Sequence, residues 1–160
     1  MLDRNYQQRE SGCLQDSLDW KVTDVSGVQV TRDSRIAHSG TTSLRIDFDG
    51  TTNVGYQHIT QLAVVPPGRY RFSAFVRSDG VTTDEGVGVR ILDAESPTRL
   101  MAGTQKITGT ADWTEIDKIF DVPSSSQSLL IQVFREPSSQ FANKIGGSVW
   151  IDTVSLTRVS

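Results

Sequence analysis

The chain has 160 residues, 36% hydrophobic and 22% charged, with a formal net charge of −3. That length suits one domain with its own core and is short for two. The slight acidity offers no clustered Lys and Arg to displace counterions from a polyanion, and no apolar run approaches the roughly 18 residues of a membrane span, so neither a nucleic-acid partner nor membrane insertion is expected.

A single cysteine, Cys13, leaves no intrachain disulfide and no thiolate zinc site. The opening "MLDRNYQQRESG" has neither a basic n-region nor an apolar h-region, so it does not read as a secretory signal. Residues 1–19 are polar and weakly patterned and are read as a lead-in or linker remnant, with the domain spanning 20–160.

Trp20 opens the patterned region and is placed over the floor of the domain. Beyond it, "GVQVTRD" (27–33) alternates, "TSLRIDFDG" (42–50) sets Leu44, Ile46 and Phe48 on one side, and "RYRFSAFVRSDG" (69–80) sets Tyr70, Phe72, Ala74 and Val76 against Arg71, Ser73, Phe75 and Arg77. The runs "GVGVRILDA" (86–94), "TEIDKIFDVP" (114–123), "SLLIQVFRE" (128–136) and "SVWIDTVSLTRV" (148–159) repeat the habit. A period of two marks strands with one buried face. The Gly- and Pro-bearing pieces between them, such as "PPG", "SDG" and "PSSS", are turns. No segment carries helical periodicity with caps.

Eight or so such strands must hide their edges by closing up or by packing as two sheets. The combination of one apolar and one mixed face predicts an all-β, two-sheet antiparallel jelly-roll β-sandwich.

Four stretches, "AHSGTTSLRIDF" (37–48), "VVPPGRYRFSAFVRS" (64–78), "GTADWTEIDKIFDVP" (109–123) and "SVWIDTVSL" (148–156), together resemble, in order, the carbohydrate-binding modules of families four, nine and twenty-two, which have a galactose-binding-like jelly roll. The likeness runs from about Trp20 to Leu156. The runs "DWKV" (19–22), "HITQ" (58–61), "VTTDEG" (81–86) and "REPSSQFANKIGGSVWIDTVSL" (135–156) also look like the sandwich domain appended to bacterial tetratricopeptide-repeat proteins, a likeness that would make the chain a piece of a longer bacterial protein and favours the cell envelope or the exterior. In this reading "DWT" is a turn in which Trp113 caps one end of the sandwich.

The carbohydrate-binding resemblance implies a structural calcium ion where the N-terminal segment, the "HSG" loop and the last strand meet, with Asp152 as a ligand beside carbonyls of the 38–42 loop. The nearest N-terminal counterpart is "NYQ", Asn5 to Gln7, with Gln where an acid is expected. The alternative gives Asp152 a plainer role, accepting hydrogen bonds from loop amides and so pinning the last strand.

A sugar is recognised by aromatic faces and by polar groups that satisfy its hydroxyls. On the mixed strand faces, Tyr56, His58, Phe75, Arg77, Arg90, Gln132 and Arg135 are the candidate ligand-binding residues. Tyr56 reads equally as a core-edge aromatic, and the arginines as partners of Asp79, Asp84 or Glu136. Trp150 is either an outward platform or a plug beneath the N-terminal segment. If Arg77, Arg90 and Arg135 converge, an acidic polysaccharide suits them through bidentate pairing.

There is no GxSxG, HExxH or phosphate-cradling loop, and the acids fall mostly in turns, so no catalysis is expected. The reading is a non-catalytic carbohydrate-binding domain. The alternative is a protein-interaction domain of a tetratricopeptide-repeat protein, with a protein partner and no sugar binding.

Overall fold

The computed structural model describes residues 20–159 and contains ten strands: β1 (Lys21–Val22), β2 (Val28–Asp33), β3 (Ser43–Asp49), β4 (Tyr56–Ala63), β5 (Gly68–Val81), β6 (Gly88–Asp93), β7 (Met101–Gly103), β8 (Gly109–Val122), β9 (Leu129–Arg135) and β10 (Gly146–Val159). The lead-in 1–19, with Asn5, Gln7 and Cys13, lies outside the described residues. Two five-stranded antiparallel sheets result, ordered β1-β4-β9-β6-β7 and β2-β3-β10-β5-β8. They are called here the β9 sheet and the β10 sheet after their central strands. The predicted all-β jelly-roll sandwich is the observed fold.

Alternation decides what lies between the sheets. Ile46 from β3, Phe72 and Ala74 from β5, Ile59 from β4, Val89 and Ile91 from β6, Ile131 and Val133 from β9 and Val149 from β10 are all completely buried. Trp20 belongs to the same core, as expected. Burying these side chains between two layers supplies the main favourable term for folding, each fully buried aliphatic contributing about 1.5–3 kcal/mol relative to exposure.

Three differences from the expected strands have local causes. β4 carries Gln61 inward, so its apolar alternation is broken in sequence although its backbone pairs with β1 and β9. β1 and β7 are too short to show a period. "DWT" is part of β8 rather than a turn: the register between β5 and β8 shifts there, between Val76 and Ser78, and Trp113 lies edge-on to His38 at 5.5 Å.

Candidate functional site

The outer face of the β9 sheet is built from the residues that alternate with its core positions. Its rows can be read from the strand register. Leu62 of β4 lies opposite Leu130 of β9, which lies opposite Leu92 of β6, which lies opposite Met101 of β7. This apolar row is exposed at both ends, Leu62 by 58% and Met101 by 54%, and sinks to 6% at Leu92. The next row is polar: Lys21, Thr60, Gln132, Arg90 and Gly103 face one another in turn across five strands. In the row after that, Phe134 lies opposite Gly88.

Arg90 organises the polar row. Its Nε donates to Gln132 Oε1 at 2.6 Å, one terminal nitrogen to Glu136 Oε2 at 2.9 Å and the other to Gln57 Oε1 at 3.3 Å. The guanidinium also lies over the Phe134 ring, 4.7 Å from its centroid. Phe134 can lie flat because Gly88 and Gly103 leave room beneath it: a Cβ on Gly88 would sit 3.3 Å from the ring and one on Gly103 3.7 Å from it. A guanidinium has five N–H groups and this network uses three; with the Arg90 side chain 17% exposed and Gln132 8%, the network meets solvent mainly along its Gln57 and Glu136 edge. Glu136 offsets the charge of Arg90, so the pair adds no net charge to this face.

The outer face of the β10 sheet is differently occupied. Trp150 lies between Arg45 of β3 and Arg77 of β5, whose guanidinium carbons are 5.1 and 5.8 Å from its ring centroid, and its indole N–H donates to Asp33 Oδ2 at 3.0 Å. That hydrogen bond, with the Arg35 and Ile36 amides and the Arg35 charge, holds Asp33 at a pKa of about 2. Trp150 points outward yet is only 4% exposed, so it is not a bare platform for a sugar. Phe75 is stacked against His38 at 3.8 Å and 12°.

The 34–42 loop that brings His38 here is anchored by Asp152. One carboxylate oxygen accepts the amides of His38 at 2.8 Å and Ser39 at 3.0 Å, and the other accepts the amide of Thr153 at 2.8 Å. The plainer reading of Asp152 is the one this geometry matches. Both Asp152 oxygens are used by amide donors here, and the N-terminal part of the implied calcium site, Asn5 to Gln7, lies outside the described residues. Among the described residues no group of three or more His, Cys, Asp or Glu side chains is placed to hold a metal.

The seven candidate ligand-binding residues therefore do not converge. Arg90 and Gln132 meet on the outer face of the β9 sheet, and His58 is half-buried on β4 with its ring 5.2 Å from that of Tyr56. Phe75 and Arg77 lie on the outer face of the opposite sheet. Tyr56 is 1% exposed and sits edge-on to Phe48 inside the sandwich, because a register shift between Tyr56 and Ile59 turns it inward; burial raises its phenol pKa.

Arg135 is also 1% exposed and points inward. Its guanidinium donates to Glu85 O at 3.2 Å, Asn53 Oδ1 at 2.8 Å, Val54 O at 3.0 Å, Thr83 Oγ1 at 3.0 Å and Asn143 O at 3.2 Å. Burial pulls its pKa down, while Glu85 and Asp84 act in the opposite direction. The expected cluster of three arginines for an acidic polysaccharide is thus overturned: one is interior, one faces the other side of the sandwich and one is paired with Glu136.

Sequence reading missed Gln57, Phe134 and the leucine row. Part of the signal was present, because Leu130, Gln132, Phe134 and Glu136 share one parity along β9 and Arg135 has the other.

Comparison with known proteins agrees with this architecture. Residues 11–140 match the family CBM_4_9, described as a carbohydrate binding domain. No curated protein matches the chain. Among solved structures, TmCBM61 in complex with β-1,4-galactotriose superposes with a TM-score of 0.61 at 18% identity, covering 95% of this chain and 94% of the other. A xylan-binding domain from CBM 22 gives 0.60 at 18% identity, covering 93% and 96%. The CBM22-1–GH10 modules of Clostridium thermocellum endo-1,4-β-D-xylanase 10B, complexed with xylohexaose, give 0.58 at 18% identity over 89% of this chain, which spans 26% of that one. At such identities the superpositions speak for the fold. They lend no support to the tetratricopeptide-repeat likeness. The family match covers most of the sequence, and the chain belongs to the carbohydrate binding domain family CBM_4_9.

Proposed function

We propose that this domain is a non-catalytic module that binds a neutral polysaccharide across the outer face of the β9 sheet. The observation that carries the reading is the Arg90–Gln132–Gln57–Glu136 network lying beside the Leu62–Leu130–Leu92–Met101 row. Sugar hydroxyls need donors and acceptors held in place, and sugar C–H surfaces need an apolar floor; adjacent rows of one sheet supply both. Pairing of Arg90 with Glu136 favours an uncharged ligand over a uronate. Similar structures whose descriptions name xylohexaose and β-1,4-galactotriose support a neutral β-linked glycan as the class to try first.

The test is isothermal titration with xylohexaose and β-1,4-galactotriose, using the wild type, Arg90→Ala and Gln132→Ala. Either substitution is expected to weaken neutral-glycan binding about tenfold or more, the loss of roughly 1.4 kcal/mol of contact. Absence of binding to any neutral glycan, or binding indifferent to Arg90, would overturn the proposal.

A further inference from the structure

At one end of the sandwich the β3–β4, β5–β6 and β9–β10 loops come together around an open surface depression of about 420 Å³. Phe141 and Lys144 line it, together with Thr82, Asn143 and the backbone of Gly50 and Gly146. Phe141 is 103% exposed, as open as a side chain in an extended peptide.

The loop that presents it is firmly held on both sides. Ser138 donates its amide to Asn53 Oδ1 and its hydroxyl to Asp84, and its carbonyl accepts from Asn53 Nδ2. Beyond Phe141, the Asn143 carbonyl accepts from buried Arg135, the Lys144 carbonyl accepts from Thr82 Oγ1, and the Ile145 amide donates to Thr52 O. These ties, at residue 138 and at 143–145, fix where the backbone presents Phe141, so the loop itself needs little ordering at binding, while the fully exposed ring still gives up rotamer freedom.

Charge narrows the ligand. Lys144 has no carboxylate partner among the described residues, its ammonium reaching only Asn143 Oδ1 at 3.3 Å. The neighbouring acids have cationic partners of their own: Glu85 pairs with Lys106 at 2.7 Å, and both Glu85 and Asp84 act on the charge of the buried Arg135 guanidinium. An aromatic face, an available ammonium and a floor of glycine backbone suit a sugar ring that lays its C–H face on the aromatic and carries a carboxylate.

We infer that this loop end is a second glycan site, separate from the β9 sheet, that takes an acidic sugar unit by stacking it on Phe141 and pairing its carboxylate with Lys144. The inference rests on reading the domain as a glycan binder. It differs from the sheet site in place, residues and ligand charge.

The experiment titrates the whole chain with trigalacturonate and, separately, with xylohexaose. Wild type binds trigalacturonate; Phe141→Ala and Lys144→Met each weaken that binding about tenfold or more, and added salt weakens it further in the wild type but not in Lys144→Met. Both variants bind xylohexaose as wild type does, and Arg90→Ala leaves trigalacturonate binding intact. Melting temperatures within about 2 °C of wild type establish that the variants are folded, as expected for exposed positions. Failure of the wild type to bind trigalacturonate, binding unchanged within about twofold in Phe141→Ala or Lys144→Met, or its loss in Arg90→Ala would each overturn the second site. Failure of the sheet reading alone would show instead as absent or Arg90-independent xylohexaose binding.

Discussion

Replacing Arg135 with Met removes a guanidinium from the interior while keeping much of its apolar stem. Five hydrogen bonds are lost with it, and carbonyls of Val54, Glu85 and Asn143 are left facing the vacated space. Hydrogen bonds involving a charged group contribute about 1.5–3 kcal/mol each, net of exchange with water. Five of them taken at face value would rival the whole stability of a domain, roughly 5–15 kcal/mol, so simple addition is wrong. The offset is the desolvation of the guanidinium, several kcal/mol, which the substitution also removes. What remains is the cost of the orphaned acceptors and of three loops losing a common tie, about 3–5 kcal/mol as for other broken buried charge networks. For a domain of this size that is a fall of roughly 2–4 °C in Tm per kcal/mol, or about 6–20 °C.

Urea and thermal unfolding followed by tryptophan fluorescence measure it, with xylohexaose titrated into the folded variant below its transition. The expected result is a large loss of stability with sheet-face affinity preserved within about threefold. A loss below about 1 kcal/mol accompanied by abolished glycan binding would refute the reasoning and return Arg135 to the ligand-contacting role its sequence position suggests.

Other outcomes follow from the same structure. Gln61 is 4% exposed and neither amide atom has a hydrogen-bond partner, so Gln61→Met should stabilise by about 1–2 kcal/mol; destabilisation in a denaturant titration would mean that the amide is satisfied. Asp33 and Asp93 are both held near a pKa of about 2 against 3.8 for a free Asp, Asp33 chiefly by the Trp150 N–H and Asp93 chiefly by the Ser126 hydroxyl. Because the folded values lie below the unfolded one, their contribution is present above about pH 4 and disappears as pH falls toward 2; Asp93→Asn should flatten the Tm-versus-pH curve in that window, and an unchanged slope would contradict the assignment. Asp152→Ala should cost about 1–3 kcal/mol by releasing the His38 and Ser39 amides, and the wild-type melting temperature should be the same in calcium chloride and in chelator.

Much of the fold was legible because burial between two layers imposes a period of two on the chain. The runs at 42–50, 69–80 and 148–159 place their apolar residues where β3, β5 and β10 do. β4 was obscured by inward Gln61 and by the register shift near Tyr56, and the start of β8 by "TADW", which reads as a turn. At the site the parity of β9 already separated Gln132 from Arg135, since neighbours an odd number of positions apart on a regular strand face opposite sides.

The amino-acid sequence by itself determined the strand pattern, the all-β class, the family and the pairing of apolar with mixed faces, since these depend on local periodicity and on residue types in order. Only the tertiary structure decided which mixed faces share a side. Arg90 and Gln132 become neighbours through the β6–β9 register, while Arg77 goes to the other sheet and covers Trp150. The physical reason is that a strand's alternation specifies two faces without saying which strand lies beside it, and that choice is made by hydrogen-bond pairing between segments far apart in the chain.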